Sequence, residues 1–428
     1  MKIYFINLGC KVNFAELSRL KDIFDKRGYS IDCSILDADI VLINTCSVTK
    51  LADADSRRII RMVRRENPQA FIGVLGCYAQ LEADKILELT GASAIFGINR
   101  KFEIPDIIEK LVKEERRVSL VEEIDNTKFD FAFSADNEAR ARAFMKLQDG
   151  CNFKCSYCTI PLARGNSRSL SFSEVLPQVE KIVSAGYKEI VLTGINLSDY
   201  RSDDKNFYDL IKLFATSDFP VRFRISSIEP QIINEQLVEI IANHEKICPH
   251  FHIPLQSGSN EILKKMKRRY NVGQFQNNIG LIKKYIPESC IGLDVISGFP
   301  GETESLFRET YEFIQSLDIS YLHCFSYSKR DNTLAAELEN QVPKQEKRRR
   351  TRELSDLSKW QTEKYYKNNI GKCLTFLPEK FDVTKNKVFG HTENYINVCI
   401  PVTKPLDNIF YTVKLTSYDG KYAIGELI

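Results

Sequence analysis

A chain of 428 residues, 43% hydrophobic, 27% charged and 11% aromatic, has the composition of a folded protein of about three domains, which excludes disorder, collagen and low-complexity architectures as its main class. Its 60 basic and 57 acidic residues leave a formal net charge of only +3, so no global field attracts a polyanion and any nucleic-acid contact must come from local patches. No apolar run reaches the roughly 18 residues of a membrane span, no export signal opens the chain, and twelve cysteines in that context point to metal or redox chemistry in a reducing cytoplasm.

Over residues 1–112, apolar runs Ile3–Leu8, Asp39–Asn44 and Ala70–Leu75 alternate with amphipathic Glu16–Lys26 and Asp53–Arg65, which predicts an open parallel α/β sheet. Residues 113–143 are densely charged and read as a linker. From 144 to 343 the alternation restarts with six strand-like runs: Phe144–Gln148, Glu189–Leu192, Arg222–Ile228, His250–Leu255, Ile291–Ile296 and Tyr321–Tyr327. Helical stretches separate them, so a partial (β/α)6 barrel is expected, with its active site at the carboxyl ends of the strands. Residues 344–366 read as a basic helical connector, and residues 367–428 as a small all-β barrel. In the latter, Tyr418-Asp419-Gly420-Lys421 between alternating segments is a hairpin signal.

Cys151, Cys155 and Cys158 form a C-x3-C-x2-C array directly after the first strand of the central domain. A structural zinc site wants four ligands, and no fourth Cys or His lies nearby in sequence. Three thiolates on one short loop suit a 4Fe–4S cubane with one iron lacking a protein ligand, the competing readings being a structural metal knuckle or buried thiols. Such an iron can chelate S-adenosylmethionine (SAM), and an electron can then cleave its sulfonium C–S bond to a 5′-deoxyadenosyl radical. The spacing, with Tyr157 just before the last cysteine, resembles the radical SAM superfamily. That resemblance implies a Gly-rich segment for the methionine amino group, matched here by Gly194 and Asn196 in Thr193-Gly194-Ile195-Asn196. Ser227 and Glu229, ending the third strand, and Gln256, ending the fourth, are the further cofactor-binding candidates; a loop-capping role is the alternative for each.

Cys10, Cys46 and Cys77 each close an apolar strand run and precede a helix. In a parallel sheet such turns emerge at one edge, so three thiols can converge there, with helix N-termini and backbone N–H groups expected to lower their pKa. A second metal cluster or unligated loop cysteines both accommodate this pattern. Together with the C-x3-C-x2-C triad and the terminal β module, the three positions resemble the methylthiotransferase family. The likeness spans nearly the whole chain, and its third part is similar to the TRAM barrel of RNA-modifying enzymes. It implies two 4Fe–4S clusters, the Cys151, Cys155, Cys158 cluster generating the radical and the Cys10, Cys46, Cys77 cluster donating sulfur. It further implies SAM, a tRNA anticodon loop as substrate, an external electron donor and a sulfur source.

Leu8-Gly9-Cys10-Lys11-Val12-Asn13 and Asn44-Thr45-Cys46-Ser47-Val48-Thr49 look like the branch acting on N6-threonylcarbamoyladenosine at tRNA position 37, although Phe14-Ala15 stands where many members have Gln-Tyr. Branches acting on isopentenyl-adenosine in tRNA, or on an aspartate of ribosomal protein S12, are the alternatives within the family. A noncatalytic iron–sulfur or RNA-binding protein is the alternative outside it. Arg348, Arg349 and Arg350 on the connector, and Arg57 and Arg61 on the helix after Cys46, are candidate phosphate contacts, with solvated helix faces as the competing reading. Phe376, Phe389, Tyr395 and Tyr411 could stack on bases or fill the core. His250 and His252 alternate on a strand and read as barrel packing.

Overall fold

Every residue of Ile40–Thr45 and of Phe71–Gly76 is buried, so both runs require cover on both faces. In the computed structural model, which describes residues 1–31, 33–114, 117–134 and 141–428, they are the second and third strands of a five-stranded parallel sheet. Its neighbours follow chain order: β1 (Ile3–Asn7), β2 (Ile40–Thr45), β3 (Phe71–Gly76), β4 (Ala94–Phe96) and β5 (Val118–Leu120). The helices are α1 (Lys11–Lys26), α2 (Lys50–Glu66), α3 (Cys77–Leu81), α4 (Ala83–Thr90) and α5 (Ile104–Glu114). Ile40 and Leu42 pack with Leu17, Leu20 and Phe24 of α1 and with Ile104 and Ile108 of α5. The alternate residues Val41 and Ile43 pack with Ile60 and Val63 of α2 and with Ile86 of α4, as the two-residue period of a strand requires.

The segment 113–143 differs from its reading as a linker. Val118–Leu120 pairs with β4 through Ala94↔Val118, Ile95↔Ser119 and Phe96↔Leu120; three residues among charged neighbours are too few to show a strand period. Residues 115–116 and 135–140 of this segment lie outside the described residues.

The chain forms two compact units, one of residues 1–135, 144–170 and 328–336, the other of residues 136–143, 171–327 and 337–428. The first thus contains the C-x3-C-x2-C loop, which the sequence boundaries place in the central domain. Around that loop, β6 (Ala132–Phe133) pairs antiparallel with β7 (Arg142–Lys146) through Ala132↔Lys146 and Phe133↔Met145. Next, β8 (Gln148–Asp149) pairs with β9 (Arg168–Ser169), and α6 (Ile160–Arg164) lies between them in sequence.

Beyond Leu170 the elements run α7 (Phe172–Ser184), β10 (Glu189–Thr193), β11 (Arg201–Ser202), β12 (Lys205–Asn206), α8 (Phe207–Ala215), β13 (Arg222–Ile225), α9 (Glu235–Ala242), β14 (His250–Gln256), α10 (Asn260–Lys265), α11 (Val272–Tyr285), β15 (Cys290–Ser297), α12 (Glu304–Ser316), β16 (Tyr321–Ser326), α13 (Leu334–Glu337) and α14 (Lys344–Lys367). The six expected strand runs fall on β7, β10, β13, β14, β15 and β16. Within the second unit β10 and β13 pair in parallel, as do β14, β15 and β16. The C-terminal strands β17 (Cys373–Asp382), β18 (Lys387–Thr392), β19 (Asn397–Pro401), β20 (Tyr411–Tyr418) and β21 (Ala423–Leu427) close into a barrel in the order β17-β18-β19-β21-β20. At the expected hairpin, Asp419 Oδ1 accepts from the backbone N–H groups of Lys421 at 2.8 Å and Tyr422 at 2.7 Å, and Gly420 takes φ +93°, a conformation that favours glycine.

The barrel is tied to the rest of its own unit by two buried arginines of β13. Arg222 and Arg224 donate to the fully buried carboxylate of Glu189 at 2.6 and 2.7 Å. Their remaining N–H groups reach the carbonyls of Thr375, His391, Thr392 and Glu393 at 3.0–3.1 Å. Burial pushes the Glu189 carboxyl up, but Arg224 and Arg222 outweigh it and hold the group well below the usual carboxylate range. Glu189→Ala strands two guanidinium groups and should cost about 3–5 kcal/mol in denaturant unfolding. A depressed carboxyl contributes stability above its unfolded pKa of about 4.5 and loses it as pH falls through the folded value. Wild type should therefore weaken on acidification below that pH, and Glu189→Ala should do so less steeply.

Candidate functional site

In the first unit, parallel register brings three strand ends level: Asn7 opposes Asn44, and Thr45 opposes Gly76. Cys46 and Cys77 follow directly, and Cys10 is the N-cap of α1. The turn into α3 has no room for a side chain, because Gly76 has φ +99° and an added Cβ would lie 2.4 Å from the Thr45 carbonyl oxygen. Asn13 stitches the turns together, its amide nitrogen donating to Asn44 Oδ1 at 3.0 Å and to the Thr45 carbonyl at 3.1 Å. Its Oδ1 accepts from Cys10 Sγ at 3.3 Å. The loop after Cys46 is held by Ser47 and Asp53, which bind each other at 2.9 Å and receive Arg330 at 2.7 and 2.6 Å.

The expected lowering of the thiol pKa is reversed at Cys46 and Cys77. Burial pushes Cys46 up to about 11, and it raises Cys77 despite the opposing charge of Arg164; desolvation outweighs the helix termini.

Sequence reasoning missed what lies beneath these cysteines. Glu16, Lys101, Lys146, Asp149, Arg164 and Arg168 are all at most 9% exposed and form one ion network. Lys146 bridges Glu16 and Asp149 at 2.8 and 2.7 Å, Arg164 reaches the same two carboxylates at 3.1 and 2.9 Å, and Lys101 pairs with Glu16. Burial pushes Glu16 up, yet Arg164, Lys101 and Lys146 hold it well below the usual range. Four cations face two carboxylates, and Arg164 Nε lies 3.2 Å from Cys77 Sγ. Buried cations beside a cysteine fit an anionic, thiolate-ligated group. The only sequence signal was the occurrence of Lys146 and Asp149 at the end of an apolar run.

Cys151, Cys155 and Cys158 occupy the loop between β8 and α6 and are each half-buried. Backbone N–H groups of Phe153 and Ile160 point at the sulfurs of Cys151 and Cys158, at 3.4 and 3.5 Å, which favours thiolate. Tyr157, next to the last cysteine, is half-buried.

In the second unit the SAM candidates lie at the carboxyl ends of β10, β13 and β14. Thr193 Oγ1 is buried with no hydrogen-bond partner among the described residues, so it is free to bond a polar ligand; Gly194 and buried Asn196 follow it. Ser227 is half-buried. Glu229 pairs with Arg268, and its backbone N–H is held by Ser198 Oγ at 2.8 Å. Burial raises the Glu229 carboxyl against the pull of Arg268. Gln256 has φ +63°, a strained conformation for a residue with a side chain, at the site of a register shift in β14. His252 is buried as expected, but it is not simple packing: its Nε2 and His323 Nδ1 meet the two oxygens of Asp294 at 3.0 and 3.3 Å.

The basic candidates separate. Arg350 is 4% exposed and bound to Glu302 at 2.9 Å and Glu346 at 3.0 Å, so the expectation of a phosphate contact there is corrected: its charge is neutralised inside the fold. Arg349 is engaged by Glu346, Glu304 and Glu353. Arg348 and Arg61 are exposed, and Arg57 is half-buried. Phe376 is fully buried, and Tyr395 is stacked between His250 and His391 with centroids 4.2 and 4.9 Å away. Among the described residues no helix is long and apolar enough to cross a membrane.

The family model described as the radical SAM superfamily matches residues 145–314, and one described as an uncharacterized protein family, UPF0004, matches residues 2–97. The solved radical S-adenosylmethionine methyltransferase TsrM from Kitasatospora setae has a related fold, with TM-score 0.54 at 15% identity over 76% of this chain and 74% of that one. Fold and cysteine loop thus define a radical SAM enzyme. The threonylcarbamoyladenosine tRNA methylthiotransferase of Bacillus subtilis is 38% identical over 100% of this chain and 96% of its own, and that of Aquifex aeolicus 37% identical over 93% and 96%. The chain belongs to the methylthiotransferase family, in the threonylcarbamoyladenosine branch.

Gly76→Ala combines a left-handed backbone with a backbone clash and should destabilise the chain by more than about 2 kcal/mol. Gly186→Ala, with φ +92° and nothing within 4 Å of the new Cβ, should cost only about 1 kcal/mol. Denaturant midpoints of the two variants make the comparison.

Proposed function

We propose that this protein inserts a methylthio group at carbon two of N6-threonylcarbamoyladenosine at position 37 of tRNA, using SAM and two 4Fe–4S clusters. The observation that carries the reading is the pair of cysteine trios in one compact unit, one on a single loop and one assembled from three strand ends above a buried surplus of cations. Cys151, Cys155 and Cys158 would hold the radical-generating cluster, and Cys10, Cys46 and Cys77 the sulfur-donating one. Held by three thiolates each, the first group would supply the electron for cleaving SAM and the second the sulfur to be inserted.

The chain's own residues bind and orient. Phe153 and Ile160 N–H groups point at Cys151 and Cys158 Sγ and orient them as ligands. Gly194, Asn196, Ser227, Glu229 and Gln256, with the unpartnered hydroxyl of Thr193, are the groups for the methionine, ribose and adenine parts of SAM. The closed C-terminal barrel is read as TRAM-like, holding the RNA while the reactive base leaves its stack in the anticodon loop. Arg348, Arg57 and Arg61 remain candidates for phosphate contact. The reading calls for an external electron donor and sulfur source, and the oxygen sensitivity of such clusters supports a reducing cytoplasm as the compartment.

Mass spectrometry of tRNA nucleosides from cells with and without this gene tests the reading. The methylthio increment should appear on threonylcarbamoyladenosine; an increment confined to isopentenyl-adenosine, or none on tRNA, would reject the substrate. Reconstituted wild type should hold about eight irons per chain. Cys155→Ala should abolish SAM cleavage, whereas Cys46→Ala should cleave SAM but transfer no sulfur.

A further inference from the structure

A guanidinium has five N–H donors in a rigid fork, and each of those of Arg164 has a protein acceptor. Nη1 donates to Glu16 Oε1 at 3.1 Å and Asp149 Oδ1 at 2.9 Å. Nη2 donates to Asn13 Oδ1 at 2.7 Å and Glu16 Oε2 at 3.1 Å. Nε is left for Cys77 Sγ at 3.2 Å. With no side-chain exposure, Arg164 has no freedom to turn elsewhere.

This one group reaches all three cysteine turns of the first unit. It touches Cys77 directly. It reaches Cys10 through Asn13 Oδ1, which accepts from both Arg164 and Cys10 Sγ. It reaches the Cys46 turn through the Asn13 amide, which donates to the Thr45 carbonyl next to Cys46. Arg164 also ends α6, the helix that follows the Cys151, Cys155, Cys158 loop, so its position is set from the other trio's side. Gly165 lets the chain turn away at once, with φ +73°.

We propose that Arg164 is a positioning residue for the cluster at Cys10, Cys46 and Cys77, fixing its ligand turns and raising its reduction potential through the N–H···S bond and the buried charge. The proposal rests on the two-cluster reading above. A donor and a full positive charge at a ligand sulfur stabilise the reduced, more negative state of a cluster. Lysine would keep the charge but lacks the fork needed to serve Cys77, Asn13, Glu16 and Asp149 together.

The test uses the full chain carrying Cys151→Ala, Cys155→Ala and Cys158→Ala, so that only one cluster is titrated. This background is compared with the same chain carrying Arg164→Gln or Arg164→Lys after anaerobic reconstitution, by iron content and by EPR-monitored redox titration. The expectation is about four irons per chain in each, with the midpoint potential most negative in the Gln variant and intermediate in the Lys variant. Equal potentials at equal iron content would overturn the role of Arg164 and leave the two-cluster reading standing. A background chain that takes up no iron would overturn both. Should Arg164→Gln fail to fold, the Lys variant decides alone: an unchanged potential rejects the proposal.

Discussion

A full positive charge stays buried only if its donors are answered, and each N–H of Arg164 has an acceptor. Helix α1 supplies Glu16 and Asn13, the short strand β8 supplies Asp149, and the sheet edge supplies Cys77. Removing two ions from water is expensive, so networks of this kind are a poor route to stability for its own sake. Their return is in geometry: none of these groups can move without leaving another charge stranded. Within the network the cations outnumber the two carboxylates, and Cys77 Sγ lies 3.2 Å from one of them.

The second unit uses the same device for a mechanical purpose. Glu189 gathers Arg222 and Arg224, and the outer ends of both guanidiniums grip the carbonyls of the C-terminal barrel. Arg224 also lies 4.9 Å from the ring centre of Tyr395, which is itself stacked between two histidines. These ions and rings add to an apolar core that the barrel shares with Cys290, Tyr365 and Tyr366. Tyr395, a base-stacking candidate by composition, is thus engaged in this attachment.

Much of this was legible from the chain because local chemistry repeats along it. Cysteines that close apolar runs declare a βα turn, the Asp419-Gly420 pair declares a hairpin, and the alternation that marks six strands survives in β7, β10, β13, β14, β15 and β16. Strand β5 escaped notice because three residues among charges carry no period. Arg164 escaped because its meaning is entirely distant: Glu16 lies 148 positions away, and nothing around the helix terminus distinguishes it from a solvated residue. Arg350 misled for the converse reason, since a run of basic residues on a helix does not reveal which one faces Glu302.

The first unit is not continuous in sequence, and this bears on how it is born. Its closing strap, residues 328–336, carries Arg330, whose partner Asp53 was made 277 residues earlier. At roughly 5–20 residues per second, a ribosome takes about 14 to 55 seconds to bridge that interval. Throughout it, the nascent turn bearing Cys46 lacks its clasp. The turn bearing Cys46 therefore gains its clasp only after about three quarters of the chain has been made, and a chain cut short before residue 330 lacks it.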